Sequence, residues 1–145
     1  MNKLEEILAE WKKDAEIDLI DIGSEIQRVP RLHSKYLDIL SFYRLKSKET
    51  EAKYAKLYLM KFEHQQGHLD LSELKELGWE PILHSRVKTD VPRYLEADDD
   101  LIKLKSQIAF YNEIVNTCES IMKELNARNY SLKALIEWTK FTNGV

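Results

Sequence analysis

The chain has one cysteine, Cys118, in 145 residues. No intrachain disulfide can form, which suits a reducing cytoplasm. Glycine occurs 4 times and proline 3 times. So few breakers favour long helices over strands and turns. No stretch approaches the roughly 18–20 apolar residues of a membrane span. The opening MNKLEEILAEWKKD is amphipathic and acidic, unlike a signal peptide. A cytoplasmic protein with no membrane attachment is expected. There is no Gly-rich phosphate loop and no G-x-S-x-G turn, and no His or Cys has an activating partner by spacing. A binding protein without cofactors is expected rather than an enzyme. Hydrophobic residues make up 43% and charged residues 32%, a mix that supports a buried core and excludes a disordered chain.

The apolar spacing predicts an all-α fold: two long helices plus shorter N- and C-terminal ones. Leu4, Ile7, Leu8 and Trp11 mark a first helix that breaks near Asp14. Asp18 is placed to cap a second, with Ile22 and Ile26, which Pro30 ends or kinks. Residues 31–66 lack Gly and Pro and read as one helix that stops at Gly67. Asp70 caps a short helix closed by Gly78, and Pro92 suits a first helical turn. Asp98, Asp99 and Asp100 open the second long helix, where capping and the helix dipole favour carboxylates; a divalent-ion cluster is the weaker reading. Leu101, Leu104, Ile108, Tyr111, Val115, Cys118, Met122 and Leu125 then form a heptad seam, expected to build an oligomer. Asn129 is expected to end that helix. Ser131 is expected to cap a last one that buries Leu132, Leu135, Ile136, Trp138 and Phe141. The whole reads as a single helical domain: N-terminal helices over 1–66, an irregular connector over 67–93, and oligomerisation helices over 94–145.

The net charge of −3 hides an uneven distribution. Residues 31–66 carry 8 Lys/Arg against 4 Asp/Glu, while residues 67–100 carry 4 against 9. Local charge decides whether a phosphate backbone is attracted. On a helical wheel Leu37, Leu40, Ala52, Ala55, Tyr58, Leu59 and Phe62 fall together, and Lys46, Lys53, Lys56 and Lys61 fall broadly opposite. Glu49 interrupts the lysine face, and Tyr54 and Tyr58 flank its end. Lysines follow phosphates through counterion release, and aromatic rings stack on unpaired bases. The plainer alternative is a solvated helix face. His64 and His68, four apart beside Glu63, resemble a metal pair, but Gly67 between them interrupts the helix such a site needs.

Several strings, in order along the chain, carry a resemblance. They are Lys12-Lys13-Asp14 with Ile17-Asp18, His33-Ser34-Lys35-Tyr36-Leu37, Glu51-Ala52 leading to Gly67, and Leu95-Glu96-Ala97-Asp98-Asp99-Asp100-Leu101-Ile102-Lys103. Cys118, Arg128, Lys133, Ile136, Phe141 and Gly144 complete the set. The chain resembles the UvsY-like recombination mediators of tailed bacteriophages. The resemblance implies a ring-like homo-oligomer that binds single-stranded DNA. It also implies loading of a RecA-like recombinase onto strands covered by single-strand binding protein, in the cytoplasm of an infected host. The family's basic Lys-x-Arg pair falls at Leu59 and Lys61, so the first position departs from the pattern. Lys53 and Lys56 are expected to supply the missing charge and, together with Lys61, to hold DNA phosphates, with Lys46 and Tyr54 in support. The rival expectation is a helical adaptor without nucleic acid.

Overall fold

The computed structural model describes residues 2–144. Among them are five helices and no strand: α1 (Lys3–Asp14), α2 (Ile22–Gln65), α3 (Leu71–Leu77), α4 (Val91–Leu95) and α5 (Asp99–Thr142). Each start has a local cause. Asn2 accepts from the Glu5 amide while the Glu5 side chain accepts from the Asn2 amide, a reciprocal cap on α1. Asp70 caps α3 through the Glu73 amide, and Asp98 caps α5 through the Leu101 amide. Gly67 and Gly78 take positive φ where α2 and α3 stop, a conformation that penalises any Cβ.

Four expectations are corrected. First, α2 begins at Ile22, and its cap is Asp21, which accepts from the Ser24 amide. Asp18 instead accepts from the Ile20 amide in the preceding bend. Second, Pro30 lies inside α2 and does not end it, which removes the first of its two expected effects. An interior proline costs about 3 kcal/mol. Val29, Leu32 and Tyr36 around it are 4%, 6% and 0% exposed, and their burial holds the helical register. Third, α5 runs through Asn129 and Ser131. The Ser131 hydroxyl donates to the Ala127 carbonyl, a bond that leaves the helix intact. Fourth, Leu132 is buried as expected, but Trp138 and Phe141 are 63% and 77% exposed.

The contacts gather in two units. The first holds the residues up to Leu45 and those from Tyr111 on. Its core is Ile7 from α1, Val29, Leu32, Tyr36 and Leu40 from α2, and Ile114, Val115, Cys118, Ile121, Leu125 and Leu132 from α5. Polar contacts hold α1 to this core. Arg28 and Arg128 both donate to the Asp14 carbonyl, Arg28 also reaches Glu16 and Arg128 reaches Ala15. These cations satisfy carbonyls that a helix end leaves free. The Asp14 carboxylate takes the Lys35 ammonium at 2.6 Å and the hydroxyl of fully buried Tyr36 at 2.8 Å. Cys118 is fully buried, and burial pushes its thiol up to about 11, which suits a core residue and not a nucleophile.

The second unit spans Lys46–Phe110. Val91, Leu95 and Leu101 form its core, with Tyr54, Leu57, Tyr58 and Phe62 of α2 packed against them.

Burial raises the Asp14 pKa, but hydrogen bonds from Lys35 and Tyr36 outweigh it and hold the value below its ordinary 3.8. A lowered carboxylate contributes stability fully above pH 3.8, and loses it as pH falls through the folded value. The variant Asp14→Asn is expected to be about 1–3 kcal/mol less stable at neutral pH. Urea unfolding across a pH series should show that gap closing below pH 3.8.

Candidate nucleic-acid interface

The inward face of α2 in the second unit differs from the wheel. Ser47 and Thr50 are buried, at 3% and 6%, while Leu59 is 61% exposed and Ala52 and Ala55 face solvent. The inward line is Ser47, Thr50, Tyr54, Leu57 and Lys61, at spacings of three and four. Three of these five are polar, so an apolar wheel overlooked them. Thr50 satisfies its hydroxyl by donating to the Lys46 carbonyl at 2.8 Å.

This rotation separates the four expected lysines. Lys61 faces inward with a side chain only 11% exposed. Its ammonium lies 3.1 Å from Asp98 and 2.9 Å from Asp100, and 4.7 Å from the centre of the Trp79 ring. Burial lowers its pKa, but hydrogen bonds to Asp100 and Asp98 outweigh that and the net value is raised. The ammonium stays charged and occupied within the unit. Lys46 and Lys53 both lie 3.7 Å from Glu49 on the solvent side. Such exposed pairs are worth roughly 0.5 kcal/mol and yield easily to a phosphate. Lys56 is exposed and has no carboxylate within ion-pair distance among the described residues. Lys48, beside Glu51 at 3.3 Å, adds a further cation that the wheel did not single out.

Tyr54 is half-buried, its ring centre 6.0 Å from that of Tyr58. Both line a groove of about 290 Å³ whose other walls include Pro92, Leu95, Ile102 and Lys105. Its lining is mixed, with two tyrosine rings on which a base can stack, and with the Glu96 carboxylate as well as the Lys105 ammonium.

Three more residues of this unit, absent from the expected site, stand out. The Arg86 guanidinium stacks 3.7 Å from the centre of the Tyr94 ring, and Arg93 lies 5.5 Å from the same centre. Hydrogen bonding to Arg86, then Arg93, holds the Tyr94 hydroxyl below its ordinary pKa. The adjacent Arg93-Tyr94 was visible in the sequence; the return of Arg86 to the same ring was not.

Half of the expected oligomer seam is internal. Leu101, Val115, Cys118 and Leu125 are 2%, 9%, 0% and 0% exposed within the chain itself, which leaves them no face for a second copy. Leu104, Ile108, Tyr111 and Met122 are half-buried. The exposed apolar groups of the first unit include Leu19, Ile20 and Leu45 and, further on along α5, Tyr130, Trp138 and Phe141. His64 and His68 do not converge: His64 pairs with the Glu80 carbonyl and His68 with Glu63. Among the described residues no group of three or more His, Cys, Asp or Glu is placed to hold a metal, and no helix is long and apolar enough to cross a membrane.

Residues 10–145 match the family described as "Recombination, repair and ssDNA binding protein UvsY". The chain is 22% identical over 142 residues to the recombination protein uvsY of Enterobacteria phage T4, covering 98% of each. Two crystal structures of the bacteriophage T4 recombination mediator protein UvsY superpose with TM-scores of 0.86 and 0.85. They are 21% and 20% identical, covering 99% and 97% of this chain and 99% of each of theirs. At that identity the superposition establishes a shared fold.

The variant Lys61→Met removes two ion pairs and a ring contact. Urea unfolding should show a loss of about 1–2 kcal/mol.

Proposed function

Because the chain belongs to the UvsY family of recombination, repair and ssDNA-binding proteins, we propose that it is a recombination mediator. In this reading it binds single-stranded DNA and helps a RecA-like recombinase displace single-strand binding protein. The observation that carries the DNA-binding part is the solvent face of α2, where Lys56 has no carboxylate within ion-pair distance among the described residues and Lys53 has one weak exposed pair, with Lys46 beside Glu49 on the same face. Lysines at such spacing follow a backbone without reading sequence, as a protein acting on any single strand requires. Tyr54 and Tyr58 supply rings against which a base can stack. Lys61 supports the site indirectly by fixing the helix that presents the other lysines.

Self-assembly completes the reading. Tyr130, Trp138 and Phe141 lie within about 80° on α5, with Ala134 among them. Their exposures of 79%, 63% and 77% make a large apolar surface at one end of a charged chain, and a second copy is the occupant we assign to it. Several copies would present the lysine face repeatedly, and avidity would turn modest sites into tight binding. The acidic stretch at 67–100 suits contact with basic partner surfaces.

Fluorescence anisotropy with a labelled oligothymidylate over a salt series tests the DNA site. Binding should fall steeply with salt, and Lys56→Gln should lower the slope of log K against log salt by about 0.7. A slope unchanged in Lys56→Gln removes that residue from the site, and no binding at low salt favours the adaptor. Light scattering tests assembly. Trp138→Glu is expected to shift the mass towards the 17.1 kDa monomer and weaken DNA binding with every lysine present. An unchanged mass, or unchanged affinity in a monomer, refutes the avidity argument.

A further inference from the structure

The Arg86–Tyr94–Arg93 cluster is not used by the lysine face. We propose that it is a second phosphate-binding site, engaging the same DNA strand as the lysines of α2. The inference rests on the single-stranded DNA reading and names a further contact for it.

The first ground is charge without compensation. Both guanidiniums contact one ring, so they are no farther apart than the sum of their 3.7 and 5.5 Å distances to it. Neither has a carboxylate within ion-pair distance among the described residues. Lys88 lies between them in sequence, so three of the four cations in residues 67–100 fall within eight positions. Two like charges this close, with no acid between them, favour an anion.

The second ground is preorganisation. The Arg86 amide donates to the Gln65 carbonyl at 3.0 Å, and its Nη1 donates to the Gln65 side chain at 2.7 Å. Stacking on Tyr94 fixes the guanidinium plane. Its remaining N–H groups need no further ordering to grip a phosphate, which lowers the entropic cost of binding. Tyr94 is 41% exposed, so the cluster is open to solvent.

The third ground is position. Gln65 lies on α2, nine residues beyond Lys56, about 14 Å along the axis. The clamp therefore attaches to the element that carries the lysines, about half a turn around its axis from Lys56, so a strand that meets both must wrap the end of α2. A phosphodiester strand is favoured over an acidic peptide because it would meet both sets of cations on one continuous backbone.

The test is oligothymidylate anisotropy over a salt series with Arg93→Gln, Arg86→Gln, Arg93→Lys and Lys75→Gln. Arg93→Gln and Arg86→Gln should each lower the slope by about 0.7 and weaken binding several-fold at low salt. Arg93→Lys should keep the slope, and Lys75→Gln, on α3, should match the parent protein. The Arg93 guanidinium reaches the exposed Tyr94 side chain and no carboxylate among the described residues, so its variant carries the test even if Arg86→Gln is unstable. An unchanged slope in Arg93→Gln, with Lys56→Gln lowered, overturns this inference and leaves the single-stranded DNA reading standing. A parent protein that binds no oligonucleotide overturns both. If Arg93→Gln loses polyglutamate binding while oligonucleotide binding is intact, the site takes acidic peptides and the proposal fails.

Discussion

The Lys61 ammonium lies between Asp98 and Asp100 and over the Trp79 ring, with about a tenth of its side chain open to solvent. It fastens the end of α2 to the start of α5 across a separation of 37 and 39 residues in sequence. Neighbouring positions repeat the device. His64 reaches the Glu80 carbonyl and stacks near Trp79, and Gln65 holds Arg86 by main chain and side chain. The last turn of α2 is thus the anchor for most of the segment between the long helices. That segment has little apolar surface of its own, since Leu74, Val91 and Leu95 are its only buried side chains among the described residues. Few apolar contacts make polar anchors matter more.

A cation used this way is unavailable to a ligand. Moving Lys61 onto a phosphate would leave Asp98 partly buried and unpaired, a cost that one exposed phosphate contact does not offset. The Asp98 carboxylate also caps α5 through the Leu101 amide, so the same group holds both long helices of the unit. Lys53 and Lys56 on the solvent side carry no such duty. The charge excess read along residues 31–66 therefore divides into one structural cation and several that can exchange partners. Linear charge counts cannot make that division, because it depends on which way each residue faces.

Most of the helix ends were legible, since they rest on short-range chemistry: Asp70, Gly78, Pro92, Asp98 and Gly67 all act within a turn of themselves. The errors lie where tertiary packing overrides local preference. Pro30 and Ser131 sit inside helices because their neighbours are buried. The inward line of α2 was missed because Ser47, Thr50 and Lys61 carry it. In α5 the seam was seen, and half of it is buried within the chain itself: the period shows that a face is buried, not whether the partner is the same chain. Of the candidate site, the lysine face was legible in composition. The Arg86 contact was not, because it depends on how a loop returns to α2.

The strings that carried the resemblance prove mostly architectural. Asp14, Lys35 and Tyr36 form one polar cluster, and Arg128 closes the end of α1 beside it. Cys118 lies in the same core, and Asp98 and Asp100 hold Lys61. All but the exposed Asp100 are buried or doubly bonded, so a change at one leaves a gap in the core or a partner unsatisfied. Exposed phosphate contacts carry no such penalty. A lysine can be lost at one position and a guanidinium gained on a nearby loop with little effect on folding. A basic residue expected at position 59 and found as an exposed leucine is consistent with that freedom. The framework fixes where α2 stands, while exposed cations along and beside it can change with little effect on folding.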